Sequence, residues 1–277
     1  MSFKTILSVT SPDMENGDLK LAASLCESIH AHLSILVVQV AAPPPIGDFA
    51  TFSDTWLQER LEDKERLTTR RDEVTALLAA GTVSADIATE YPELAWADEA
   101  IGRRARYADL TLIGPEVLGT KTLRAKSIEG ALFSSGKPLL LIPSNASATL
   151  APRRILVAWD GRIEASRAVR EARGMLVAAA DVRLVLVDPH GGDEGNGAEP
   201  GADAATYLAR HGVSVTVERL PNEGLSVAEV LARRANDFGA DMLVMGGYGH
   251  SRLRERIFGG VTKSMLDEPP LPIFMAR

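Results

Sequence analysis

The same succession of apolar runs occurs twice along this chain of 277 residues, and a repeat on that scale constrains the fold more than any single motif. Ile6-Leu7-Ser8-Val9-Thr10 opens the first copy and Ile155-Leu156-Val157-Ala158-Trp159 the second. A helical stretch follows each, over residues 19–30 and 163–179, and then a second apolar run, 33–40 and 182–187. Later, Ala108-Asp109-Leu110-Thr111-Leu112-Ile113-Gly114 parallels Ala240-Asp241-Met242-Leu243-Val244-Met245-Gly246, and the copies close on Pro138-Leu139-Leu140-Leu141-Ile142 and Pro272-Ile273-Phe274-Met275. Short Val-, Ile- and Leu-rich runs separated by helices predict parallel strands covered on both faces. The expected class is therefore α/β, with two tandem doubly wound, Rossmann-like domains, each a five-stranded parallel sheet flanked by helices. The polar stretch Ser144-Asn145-Ala146-Ser147-Ala148-Thr149 separates them, giving domains at residues 1–147 and 153–277.

Composition narrows the function. A net charge of −7 excludes a nonspecific nucleic-acid binder, which needs a basic surface. The single cysteine, Cys26, excludes an intrachain disulfide framework and reads as a small core residue. The opening residues lack the apolar stretch of a signal peptide, and no run approaches the roughly 20 apolar residues of a membrane span. A cytoplasmic protein is expected. His30, His32, His190, His211 and His250 show no metal spacing, and no Ser-His-Asp or Cys-His set is recognisable, so no catalytic or metal residue can be named.

Local signals fix some boundaries. Ser226-Val227-Ala228-Glu229 is a capping box that starts a helix, and Gly239 ends it. The Pro43-Pro44-Pro45 segment and the polar stretch 191–201 form matching loops after the second strand of each copy, the latter a flap or a disordered segment.

The most informative segment leaves the strand at Met245 through Gly246, Gly247 and Gly249, crosses Arg252, Arg254 and Arg256, and reaches Gly259, Gly260, Val261 and Thr262 before a helix. Glycines let backbone approach a ligand and adopt positive φ, and amides at a helix start favour phosphate. The three arginines read more simply as a solvated face. The spacing is neither a Walker loop nor a Gly-x-Gly-x-x-Gly dinucleotide turn. It is Gly246-x2-Gly249-x9-Gly259, and in this it resembles the universal stress protein family, whose ATP-binding members carry such a motif after the fourth strand. The strand order of both copies resembles that family as well.

The resemblance implies an adenine nucleotide alpha hydrolase-like fold and a nucleotide site in the second copy. Asp160 and Ala158 would lie by the adenosine moiety and Val187 by the base. Met245, Gly246 and Gly249 would line the ribose and phosphates, with Gly259, Gly260, Val261 and Thr262 on the second phosphate segment. Independently, an open parallel sheet of order 3-2-1-4-5 binds ligands where the order reverses, between the strands ending at Trp159 and Met245. Asp160 could otherwise simply cap the helix after it, and Trp159 reads as packing. Gly260 stands where the family has Ser or Thr, which removes one hydroxyl. In the first copy Ser11 replaces Asp160, and Gly114-Pro115-Glu116-Val117-Leu118-Gly119 lacks the spacing and puts Glu116 where phosphate would lie. That copy is expected to have lost the nucleotide.

The expected function is a stress-response regulator binding ATP or ADP, alone or with Mg2+, with slow or no hydrolysis. The alternatives are a nucleotide-free dimeric scaffold, or an adenine-nucleotide hydrolase or dinucleotide-dependent enzyme. The resemblance also implies that the two copies pair at their closing strands as an intrachain pseudo-dimer, with a homodimer of whole chains as a further partner state; the acidic charge and the lack of a spanning run leave no nucleic-acid or membrane partner expected.

Overall fold

The structure, a computed structural model, describes residues 3–43, 54–189, 199–249 and 260–277. The chain divides into two compact units, Phe3–Lys137 and Pro138–Arg277.

In the first unit the elements run β1 (Thr5–Thr10), α1 (Gly17–Ile29), β2 (His32–Val38), α2 (Asp54–Ala79), β3 (Ala85–Glu90), α3 (Ala97–Ala105), β4 (Leu110–Ile113), α4 (Pro115–Gly119) and α5 (Lys121–Glu129). Its strands are ordered β3-β2-β1-β4 and pair in parallel. Central strands are apolar throughout because both faces are covered, and Leu7, Leu33, Ile35 and Leu110 are fully buried. α1 stops at His30, which takes a left-handed conformation at φ 56° and lets its amide reach back to Glu27 and Cys26. Cys26 is buried against this sheet, and burial pushes its thiol up to about 12, so it packs rather than reacts.

The second unit opens on β5 (Leu139–Leu141) and repeats the pattern with β6 (Arg154–Ala158), α6 (Ile163–Ala178), β7 (Asp181–Val187), α7 (Ala202–Arg210), β8 (Val215–Leu220), α8 (Val227–Phe238), β9 (Met242–Gly246), α9 (Gly260–Asp267) and β10 (Ile273–Ala276). The order β10-β9-β6-β7-β8 is the expected one, all parallel. β5 adds to the outside of β10 in antiparallel register, with Phe274 opposite Leu140. The strand that closes the first sequence repeat thus lies in the same compact unit as the second, and the sheet here is mixed, where five parallel strands were expected. The capping box forms as read: Ser226 Oγ accepts from the Glu229 amide, and Glu229 accepts from the Ser226 amide at 2.7 Å. Gly239 ends the helix at φ 63°.

Asp109 and Asp241 show why the Ala-Asp before the fourth strand recurs. Asp109 Oδ2 accepts from the amides of Lys4 and Thr5 at 2.7 and 3.0 Å, and Asp241 Oδ2 accepts from Arg153 and Arg154 at 2.8 Å each. Each carboxylate satisfies the free amides at the start of a neighbouring strand and fixes its entry.

β3 and β8 carried no clear apolar run. They are outermost in their units and half-exposed, so their residues alternate with polar ones. The Pro44-Pro45 part of the first loop and residues 190–198 of the second lie outside the described residues, as does His190. Among the described residues no helix is long and apolar enough to cross a membrane, and no group of His, Cys, Asp or Glu could hold a metal ion.

Candidate functional site

In the second unit, β6 and β9 lie side by side while the chain leaves them to opposite sides, which opens a crevice at their carboxyl ends. A cavity of about 800 Å³ occupies it, within the range of small-molecule sites. Ala158, Asp160, Val187, Met245, Gly246, Gly249, Gly260, Val261 and Thr262 all line it. Gly259, with His250 and the three arginines of the connecting segment, lies outside the described residues.

The glycines act differently from expectation. None of Gly246, Gly249 and Gly260 has a left-handed backbone; positive φ falls on Tyr248, at 65°, and on Gly161, at 77°. Gly246 is needed for closeness: a Cβ there would stand 2.5 Å from Ala165 N and 2.6 Å from Glu164 C, because α6 crosses directly over the end of β9. A Cβ at Gly249 would meet side chains alone, the Glu164 carboxylate at 3.1 Å and Arg162 Cδ at 3.6 Å, and one at Gly260 would meet nothing within 4 Å among the described residues. Gly260 opens α9, and the buried Thr262 hydroxyl accepts from the Tyr248 amide at 3.4 Å, tying the glycine turn to that helix.

Asp160 partly takes the helix-cap role. Its Oδ1 accepts from the Arg162 amide at 3.0 Å, which leaves Oδ2 toward solvent, 3.9 Å from Arg162 Nε. The opposite wall comes from the end of β7 and the start of α8: Val187, Asp188 and Pro189 on one side, Ser226, Val227, Ala228 and Leu231 on the other. Asp188 turns the chain at φ 44°, with its amide on Leu220 O and its Oδ1 accepting from Asn222. Trp159 also lines the cavity. Arg162, Glu164 and the α8 wall were not singled out from sequence; charged residues at a helix start and an apolar helix face carry no signal of a site by themselves.

The place in the first unit corresponding to the glycine turn is filled by the chain's own acids. Asp18, 2% exposed, accepts from the Glu116 and Val117 amides at 3.1 and 3.0 Å, the first turn of α4. Glu116 in return accepts from Gly17 N at 2.7 Å, at the start of α1. Two helix N-termini cap each other through these two carboxylates, and Gly114 leaves the room: a Cβ there would stand 2.4 Å from the Asp18 carboxyl. Burial pushes the Asp18 carboxyl up, the two amides work against it, and the charge of Glu116 adds to it. The loop after β1 is held as well, by the buried Arg70 of α2 donating to Glu15 O and by Arg66 paired with Asp13.

Residues 152–277, the stretch that builds the cavity, match the family model of the universal stress proteins. The sequence similarity to that family is thus carried by the second unit. A universal stress protein from Synechocystis is 27% identical over 152 residues, 54% of this chain and 50% of that protein, so the chain spans about half the length of the curated relative it matches. Among solved structures, a universal stress protein from Archaeoglobus fulgidus superposes with a TM-score of 0.65 at 16% identity, covering 98% of this chain and 96% of that one. A functionally unknown protein from Pseudomonas aeruginosa superposes at 0.52 with 17% identity, covering 98% and 92%. At such identities the superpositions establish the fold, and they do so along nearly the whole chain. The universal stress protein fold is thus present in both repeats, while the family's sequence pattern is matched in the second.

Proposed function

We propose that this protein is a cytoplasmic stress-response regulator that binds ATP or ADP in the cavity of its second unit, with slow or no hydrolysis. The observation that carries the reading is the meeting of the glycine turn after β9, the α9 start and the Asp160 loop around one cavity at the sheet's point of reversal. The residues present fit a nucleotide. Val187 and the α8 wall offer an apolar slot for a base, Asp160 a carboxylate for ribose hydroxyls, and Gly246, Gly249, Gly260, Val261 and Thr262 backbone and one hydroxyl for phosphates. The described charged side chains of the lining are Asp160, Glu164 and Asp188 against Arg162, so Mg2+ is a fitting companion for a polyphosphate. Occupancy would then bias partner affinity or the association of whole chains into a homodimer.

Calorimetric titration of the full chain with ATP is expected to give one site, since Asp18 and Glu116 occupy the corresponding amides of the first unit; two equal sites, or no binding, would sink the reading. Removing Mg2+ with a chelator should weaken ATP more than AMP. A Cβ at position 260, as in Gly260→Ser, meets no neighbour within 4 Å among the described residues. Supplying the family hydroxyl should tighten ATP by about fivefold, the equivalent of about 1 kcal/mol for one added hydrogen bond.

A further inference from the structure

We propose that the first unit carries a further activity, acyl transfer from small carboxylic esters to Ser84 with His32 as the base. The residues meet at the amino-terminal ends of β2 and β3, the end of the sheet opposite the one capped by Asp18 and Glu116. His32 Nε2 lies 2.8 Å from Asp86 Oδ1, and Nδ1 lies 2.9 Å from Ser84 Oγ. An ionised carboxylate only accepts, so Nε2 carries the proton of the neutral ring and Nδ1 is left to accept from the Ser84 hydroxyl. A nucleophile, its base and the group that orients the base thus stand in a row. The parallel register brings them together: with Leu33 opposite Ala85 and Ser34 opposite Asp86, the side chains of His32, Ser34, Ser84 and Asp86 share one face.

Asp86 is itself held, since its Oδ2 pairs with Arg104 of α3, whose Nε donates to Ser34 Oγ at 2.9 Å. The row is open to reactants: Ser84 is exposed, and the side chains of His32 and Asp86 are 35% and 42% exposed. A donor for the oxyanion is also in place. Among the described residues β3 has a strand on one side only. With Leu33 N donating to Ser84 O, the ladder to β2 leaves the Ala85 amide on the outer side, next to the nucleophile. In the reaction Ser84 Oγ attacks the acyl carbon and its proton passes to His32 Nδ1. The imidazolium returns that proton to the departing alcohol as the ester C–O bond breaks. Water then gives a proton to the same nitrogen, attacks the acyl-serine and releases the acid, and the proton goes back to Ser84 Oγ. An open surface site of this kind suits short, unhindered acyl groups.

The full-length chain is tested with p-nitrophenyl acetate, beside Ser84→Ala, His32→Gln and Asp86→Asn, with circular dichroism to confirm folding. Ser84→Ala and His32→Gln should each lower turnover about 100-fold. Asp86 acts through the imidazole as a positioning residue, so Asp86→Asn should lower kcat and leave KM unchanged. An alkyl fluorophosphonate followed by peptide mass mapping gives a readout on the parent itself. It should modify Ser84 in the folded protein, and not in the heat-unfolded protein or in His32→Gln. Three results would each overturn the proposal: a folded Ser84→Ala protein that turns the ester over as fast as the parent, label on residues other than Ser84, or a parent that neither turns over ester nor takes the label.

Discussion

Gly246→Val is expected to disrupt the second unit, while Gly249→Val keeps it folded. The Cβ introduced at position 246 stands 2.5 Å from the backbone nitrogen of Ala165, and backbone cannot swing aside as a side-chain tip can. Relief requires α6 to lift from the end of β9, where Gly246 is also paired with Ala276. Overpacking of this kind costs about 1–3 kcal/mol, often more against backbone, out of a total stability of about 5–15 kcal/mol. At position 249 the nearest atom is the flexible end of Glu164 and φ is ordinary, so the same substitution should spare the melting temperature and weaken only the ligand. Thermal melts of the two variants, followed by ATP titration of the folded one, separate structural from binding roles. Equal melting temperatures for Gly246→Val and the parent would show that α6 does not press on the strand end as described.

The second large effect is expected at Asp18. Asp18→Ala leaves the amides of Glu116 and Val117 without their acceptor inside the structure, and unsatisfied buried donors cost about 1–3 kcal/mol each. A loss of about 3 kcal/mol is expected for the first unit, with Asp18→Asn losing less because one amide keeps an oxygen. The pH dependence has a definite sign. Burial raises the folded carboxyl above its ordinary 3.8, so the folded state holds this proton to higher pH than the unfolded state does. The linked contribution is fully present below 3.8 and is lost as pH rises through the higher folded value. The stability difference between parent and Asp18→Ala should therefore widen as pH falls through that window. A difference that narrows toward acid, or a variant as stable as the parent, would contradict the burial and capping assigned to this side chain.

What could be seen in the sequence depended on whether a residue's chemistry or its neighbours decide its role. Central strands such as Leu33-Ser34-Ile35-Leu36 announce themselves, because burial on both faces demands an apolar run. The strands at Ala85–Glu90 and Val215–Leu220 do not, being half wet. Asp18 reads as an ordinary acid in a first helical turn, and only the fold brings it against α4, on the far side of three strands and two α-helices in sequence. The glycine spacing picked out a turn that lines the cavity but not its geometry: the left-handed residue among its described residues is Tyr248, and Gly246 is small because a helix crosses it. The direction of β5 was also illegible, since a three-residue run of leucine pairs equally well either way and its partner lies far along the chain.

That short strand decides where the polypeptide can be dissected. A cut in the polar linker after Ser144 would leave β5 on one fragment and its hydrogen-bonding partner, Ile273–Ala276, on the other. A recombinant piece spanning residues 153–277 would carry a bare apolar strand edge, Ile273-Phe274-Met275, which invites the same strand of a second copy. Its self-association would then be an artefact of the cloning boundary. A piece that starts at residue 138 brings its own edge cover, and light scattering of the two fragments should find the longer one the less prone to associate.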